Sequence, residues 1–273
     1  MKRTSFFLST LCALALSAQA ALASNMPFIT IASTTSTANS GLFDSILPKF
    51  TKDSGIEVRV IAVGTGQAIR LARKGDADVL FVHHRPSEDK FVKDGFGEKR
   101  YDIMYNDFVI VGPKDDPANI KACSSPTDAL AAIKEKGLPF ASRGDDSGTN
   151  KRELAIWKSA GVERQNLVGS WYRSTGSGMG ATLNIAAGMN AYALSDRGTW
   201  ISFKNKADLE VLCEGNRSLF NPYGAIVVSE KKFSHIKTKN AQMFIDWLIS
   251  EKGQKLISAF RVNGQQLFQP NAK

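Results

Sequence analysis

Phe28-Ile29-Thr30-Ile31-Ala32 runs directly into Ser33-Thr34-Thr35-Ser36-Thr37, and this junction decides how the rest of the chain is read. The first stretch is apolar and β-branched, as a buried strand requires. Beyond the hydroxyl run, Leu42, Phe43, Ile46, Leu47 and Phe50 recur at helical spacing on one face. A strand that empties into a helix leaves backbone N–H groups unpaired at the helix start. Hydroxyls beside those groups, and the positive end of the helix dipole behind them, favour an anion. A single Ser or Thr there would be a helix cap. Five consecutive hydroxyl residues exceed what one cap needs.

The same unit recurs downstream. Gly55 ends the first helix, and residues 56–63 alternate as a strand that leads to Gly64-Thr65-Gly66. Residues 68–74 read as a helix stopped by Gly75, and residues 77–82 as a third strand entering His83-His84-Arg85-Pro86. Strand, loop and helix repeated with short loops predict an α/β protein with a parallel sheet. Loops at the carboxyl ends of such strands converge on a ligand crevice. The hydroxyl turn, the Gly64-Thr65-Gly66 turn and the His83-His84 loop would share that edge.

A strand over residues 105–111 ends in Gly112-Pro113-Lys114-Asp115-Asp116-Pro117, whose prolines, glycine and charges mark a boundary. A second set of α/β units follows. Residues 126–136 read as a helix and 138–142 as a strand that opens onto Arg143-Gly144-Asp145-Asp146-Ser147-Gly148-Thr149-Asn150. A helix from about Lys151, a glycine- and hydroxyl-rich turn over 170–180, a helix over 179–187 and a strand over 191–195 continue the pattern. Asn221-Pro222-Tyr223-Gly224 reads as a second crossover, before a strand at 225–228 and a helix at 240–249. The division expected is therefore one lobe from residues 24–112 plus 222–273 and a second from 113–221.

Residues 1–23 read as a secretory signal peptide. Lys2 and Arg3 precede an apolar run ending near Ala18, with small residues for cleavage after about Ala20 or Ala23. Cys12 lies within the apolar run and lacks the small residues of a lipoprotein signal before it. An exported, soluble protein is expected, and no later stretch is apolar for long enough to span a bilayer. Removing Lys2 and Arg3 lowers the formal charge from +9 to +7, by 9 − 2. That excess helps to draw in anions. It is spread along the chain without a dense basic block, which argues against nucleic acid as a partner. Cys123 and Cys213 remain after export. An oxidising compartment favours their pairing, two separate buried thiols being the alternative.

The loops offer hydroxyls, free backbone N–H groups and one guanidinium, Arg143, which can meet two oxygens of an oxyanion in fixed geometry. A fully ionised oxyanion needs only donors. Asp145 and Asp146 are expected to orient Arg143, pair with it at the surface or cap the next helix, since pointed inward they would repel the ligand. Catalytic signatures are missing. Gly64-Thr65-Gly66 and Gly176-Ser177-Gly178 do not extend to a dinucleotide fingerprint, and there is no phosphate-binding P-loop, nucleophile elbow or zinc-protease spacing. His83 and His84 are adjacent and would point apart on a strand, so no direct metal ligands are assigned. Trp171 and Tyr172 are expected to pack.

Ser33-Thr34-Thr35-Ser36-Thr37, Val63-Gly64-Thr65-Gly66-Gln67-Ala68, Met104-Tyr105-Asn106-Asp107-Phe108, the Arg143 to Thr149 loop and Asn221-Pro222-Tyr223-Gly224 occur here in one order. Together they resemble the tungstate-binding periplasmic components of ABC transporters, the TupA type, over nearly the whole mature chain. The family pattern opens with Thr-Thr-Thr-Ser, and Ser33 stands in place of the first Thr while keeping its hydroxyl. The resemblance implies a type II periplasmic binding fold, two α/β lobes joined by two crossovers with the ligand in the cleft. It implies a non-enzymatic protein without cofactor, a monomer, that hands tungstate to a membrane permease, with molybdate as the closest alternative ligand. The ligand roles it carries fall on Thr34, Thr35, Ser36, Thr65, Gly66, Arg143 and Thr149, with Ser147 and Ser177 as further positions. Phosphate or sulfate on the same fold is a second reading. A secreted phosphoryl or sulfuryl hydrolase is a third, and it lacks a base beside the hydroxyls.

Overall fold

In the computed structural model, which describes residues 26–121 and 123–272, β1 (Phe28–Thr34) lies between β2 (Glu57–Val63) and β3 (Val79–Val82), parallel to both. The export signal expected over residues 1–23 lies outside the described residues. Burial on both faces explains the nearly continuous apolar run of β1. Ile29 and Ile31 pack with Leu42, Ile46 and Phe50, whereas Ala32 packs with Ala68 and Ala72 on the opposite face.

The hydroxyl run winds a short helix of its own, α1 (Thr35–Asn39), before the amphipathic α2 (Leu42–Ser54). Gly41 separates the two at φ 80°, a left-handed conformation that glycine adopts without strain. Helix α3 (Thr65–Lys74) begins three residues before the expected start, so the Gly64-Thr65-Gly66 turn is itself a helix N-terminus. Helix α4 (Arg85–Lys93) takes in Arg85 and Pro86, which were expected as loop, and Pro86 in its first turn is compatible with a helix start.

Strand β4 (Gly97–Pro113) starts well before the expected residue 105. Its residues 97–107 pair antiparallel with β9 (Phe220–Val228), and from Phe108 onward it pairs with β7 (Tyr192–Asp196) and β8 (Leu209–Cys213). The change of partner between Asp107 and Phe108 comes before the Gly112-Pro113 punctuation, which ends the strand. β9 begins opposite Asp107 and carries the chain back. The three strands from which a parallel sheet was expected are parallel, but the sheet as a whole is mixed. The order is β2-β1-β3-β9-β4-β7-β5-β6, and β9 runs antiparallel to β3 and β4. β4 and β9 cross directly between the halves, so the chain needs no helical return to a parallel neighbour.

In the second half, β5 (Phe140–Ser142) pairs parallel with β6 (Tyr172–Ser174) and with β7. Alternation along β4 divides its core. Phe108 and Ile110 join Leu130, Phe140, Trp157 and Tyr192, whereas Val109 and Val111 join Leu183, Ala193 and Trp200. The helices here are α5 (Pro126–Glu135), α6 (Gly148–Ser159), α7 (Met179–Met189) and α8 (Arg197–Ser202). Trp171 and Tyr172 pack against this core, as expected. Helices α9 (Thr238–Ile249) and α10 (Glu251–Ala259) return to the first half, where Phe244, Ile245, Leu248 and Ile257 are fully buried. Among the described residues no helix is long and apolar enough to cross a membrane.

Cys123 and Cys213 are joined in the second half, with Cα atoms 5.2 Å apart and 90 residues between them in sequence. Constraining so long a loop in the unfolded chain stabilises the fold by roughly 3–5 kcal/mol. Cys123→Ser with Cys213→Ser should therefore lower the urea-unfolding free energy by about that amount. Alkylation and mass spectrometry of non-reduced periplasmic protein should find neither thiol free, and two labelled thiols would contradict the pairing.

Candidate anion-binding cleft

The carboxyl end of β1 delivers Thr34 as the cap of α1. Its Oγ1 accepts from the Thr37 N–H at 3.3 Å and lies 2.7 Å from Thr37 Oγ1 and 3.1 Å from Ser36 Oγ. Thr34 is buried, so its hydroxyl organises the turn from below. Thr35 and Ser36, the next two residues, form one wall of a cleft of about 270 Å³ together with Asn39 and Ser40. Arg143 at the end of β5, Gly178 to Ala181 at the start of α7, and Gly198, Thr199 and Ser202 of α8 form the rest. No side chain caps α7, whose N-cap is Gly178, so its leading N–H groups are not taken by a side chain. The start of α8 is different, because Asp196 accepts from Thr199 N at 2.8 Å and Thr199 Oγ1 at 2.7 Å.

Arg143 is only 9% exposed. Its Nε and Nη2 donate to Asp145 Oδ2 at 3.1 and 2.5 Å, and Asp145 Oδ1 accepts from Ser147 N at 3.2 Å. Asp145 thereby ties the guanidinium to the start of α6. Asp146 pairs instead with Lys151. Ser147 caps α6, accepting from Asn150 N at 3.2 Å, and Thr149 is buried in its first turn. Ser177 lies just before α7, and its N–H donates to the Arg143 carbonyl at 3.2 Å.

Beneath this loop sits Glu153, 1% exposed. It accepts from Ser142 Oγ and Tyr172 OH, both at 2.7 Å, and from Trp157 Nε1 at 3.2 Å. Burial pushes its carboxyl up from 4.5 to about 7, against the pull of those donors.

Thr65, Gly66, Ser147 and Thr149 belong to a seam beside the cleft rather than to its walls. A Cβ on Gly148 would lie 2.7 Å from His83 Cε1 and 3.4 Å from Thr65 Oγ1, and one on Gly66 would lie 3.1 Å from Asp146 Oδ2. Glycine at 148 thus lets the start of α6 seat directly on the first half. The structure brings Thr35, Ser36 and Arg143 together in the cleft, with Thr34 under them and Ser177 flanking α7.

Sequence reasoning placed the His83-His84 loop at this edge but gave His83 no role. The ring is buried at the end of β3, with Nε2 3.2 Å from Ser36 Oγ, Nδ1 3.0 Å from Asn221 Oδ1, and the Tyr223 ring centroid 4.7 Å away. His84 does turn elsewhere, its Nδ1 2.6 Å from Ser87 Oγ. The usable signal was position, since His83 follows a strand next to the hydroxyl turn in the sheet. Among the described residues no cluster of His, Cys, Asp and Glu could hold a metal ion.

Two α/β halves linked by two crossing strands, with a donor-lined cleft at the strand ends, define a solute-binding protein of the periplasmic type. A model of the PBP superfamily domain matches residues 18–252. The tungstate-binding protein TupA of Peptoclostridium acidaminophilum is 47% identical over 249 residues, covering 89% of this chain and 86% of that protein. A putative ABC transporter anion-binding protein of Haloferax volcanii is 48% identical over 249 residues, 89% of this chain and 72% of that protein. The structure of TupA from Desulfovibrio alaskensis G20 superposes with a TM-score of 0.82 at 43% identity, covering 90% of this chain and 100% of that one. The chain belongs to the tungstate-binding TupA family of ABC-transporter binding proteins, which are not enzymes.

Gly148→Ala forces a contact with His83 and should destabilise the protein by roughly 1–3 kcal/mol, with faster amide exchange at the start of α6. Wild-type exchange there would contradict the seam. For Glu153, the folded carboxyl titrates above its unfolded value, so the folded state holds more protons between the two. Stability should fall as pH rises from 4.5 to about 7, by roughly 3 kcal/mol. Glu153→Gln should flatten that slope in urea unfolding across the window, and an unchanged slope would assign it to another group.

Proposed function

We propose that this chain captures tungstate between its two halves and delivers it to the membrane permease of an ABC transporter, acting as a monomer after removal of the signal peptide. The observation that carries the reading is a buried guanidinium, Arg143, in the wall of a cleft whose opposite side is Thr35 and Ser36. A dianion leaves water only where donors and charge replace its hydration. The hydroxyls, the uncapped start of α7 and Arg143 supply both. Asp145 occupies Nε and Nη2 of Arg143, and Nη1 makes no hydrogen bond among the described residues. In this reading Nη1 meets the oxyanion while Asp145 holds the guanidinium in place. Molybdate, phosphate and sulfate are the competing ligands of the same shape. We take residues 24–112 with 222–273, and 113–221, as lobes that close about the change of partner in β4 and the start of β9, a hinge motion of the periplasmic binding type.

Arg143→Ala should weaken tungstate binding by roughly 2–5 kcal/mol, the range for truncating one partner of a buried charged contact. Arg143→Lys keeps the charge without the planar fork and should recover only part. Titrating the three proteins with tungstate, molybdate, phosphate and sulfate tests both the site and the ligand. Equal tungstate affinity across all three would contradict the role given to Arg143.

A further inference from the structure

Ser36 lines the cleft, but its proton is already committed. Asn221 donates from Nδ2 to Asn106 Oδ1 at 2.7 Å, so its Oδ1 is the acceptor that faces His83 Nδ1 at 3.0 Å. Nδ1 therefore carries the ring proton. Nε2 of a neutral ring has only a lone pair, so the Ser36 hydroxyl is the donor across the 3.2 Å contact, and Thr34 Oγ1, 3.1 Å from Ser36 Oγ, can donate to Ser36 in turn. A hydroxyl has one proton. Given to His83, it leaves only lone pairs for an incoming oxyanion, and those repel it. A doubly protonated ring reverses the bond. Nε2–H then donates to Ser36 Oγ, and the Ser36 proton is free to point into the cleft.

We propose that His83 is a positioning residue that takes up one proton from solvent as an oxyanion enters the cleft, turning the Ser36 hydroxyl toward the ligand. The inference rests on the oxyanion reading above. The charges around the ring suit such a change. Asp196, buried at the end of β7, favours the protonated ring, while Arg143 on the β5–α6 loop opposes it. Lys151 and Arg152 of α6 and the neighbouring His84 line the adjoining pocket. Tyr223 of β9 stacks on the ring, and Thr65 and Gly148 approach it as neutral groups. Burial pushes the ring below its ordinary value, the Asn221 bond and Asp196 pull it up, and Arg143 pushes it down further. A dianion beside Ser36 adds negative charge that favours the charged ring.

The test is calorimetric titration of tungstate into the mature protein at neutral pH, in buffers of different ionisation enthalpy. The observed heat should vary with the buffer, corresponding to uptake of up to one proton per tungstate. Affinity should fall by about tenfold per pH unit between the ring's empty and loaded pKa values. His83→Gln can place an amide N–H at Ser36 that does not titrate, so its heat should be independent of buffer and its affinity flat with pH. Buffer-independent heat in the wild type, or wild-type proton uptake in His83→Gln, would overturn the proposal. Absence of any tungstate binding, by heat and by thermal shift, would instead overturn the oxyanion reading and take this inference with it.

Discussion

Backbone N–H groups at the start of a helix need partners, and here the fold places several such starts around one space. β1 empties into α1, β5 into the loop before α6, and the turn after β6 into α7. Where a side chain caps the helix, as Asp196 does for α8, the demand is met internally. Where none does, as at α7, an outside acceptor can be taken. The parallel pairing of β1 with its neighbours is what puts the first of these turns at the cleft, because parallel strands deliver their loops to one edge.

The two halves are joined more intimately than by two linkers. β4 is continuous through both, and the network Asn106, Asn221, His83 and Ser36 runs from the crossing strands to the cleft wall. Gly148 completes the contact from the other side, where any side chain would meet the His83 ring. Movement of one half relative to the other must therefore change the surroundings of His83. On the second half, Arg143 is held by Asp145 above and its loop by the buried Glu153 below, through Ser142. A preset guanidinium loses less freedom on meeting an oxyanion than a free one would.

Much of this was legible locally. The hydroxyl run, the glycines that stop helices and the loop carrying Arg143 are short-range signals, and the elements they predict are present. Features that depend on distant pairing were not. Residues 97–102 carry four charges and gave no strand signal, yet they form strand because β9 lies alongside. The charged α4 hides a fully buried Glu88 that pairs with Arg100, a partner on β4 that no periodicity reveals. Gly178 to Ala181 and Thr199 become cleft residues only through the packing of α7 and α8. His83 looked like half of a histidine pair, and its role comes from Ser36 and Asn221, 47 and 138 residues away in sequence.

In the proposed reading one space, between Thr35 and Ser36 on the first half and Arg143 and the start of α7 on the second, holds the oxyanion. Tungsten scatters X-rays anomalously, so a crystal structure of the protein grown with tungstate locates the ion without ambiguity. A single strong anomalous peak is expected within hydrogen-bond reach of Ser36 and the Arg143 guanidinium. A peak elsewhere, or an empty cleft in crystals of protein that binds tungstate in solution, would contradict it.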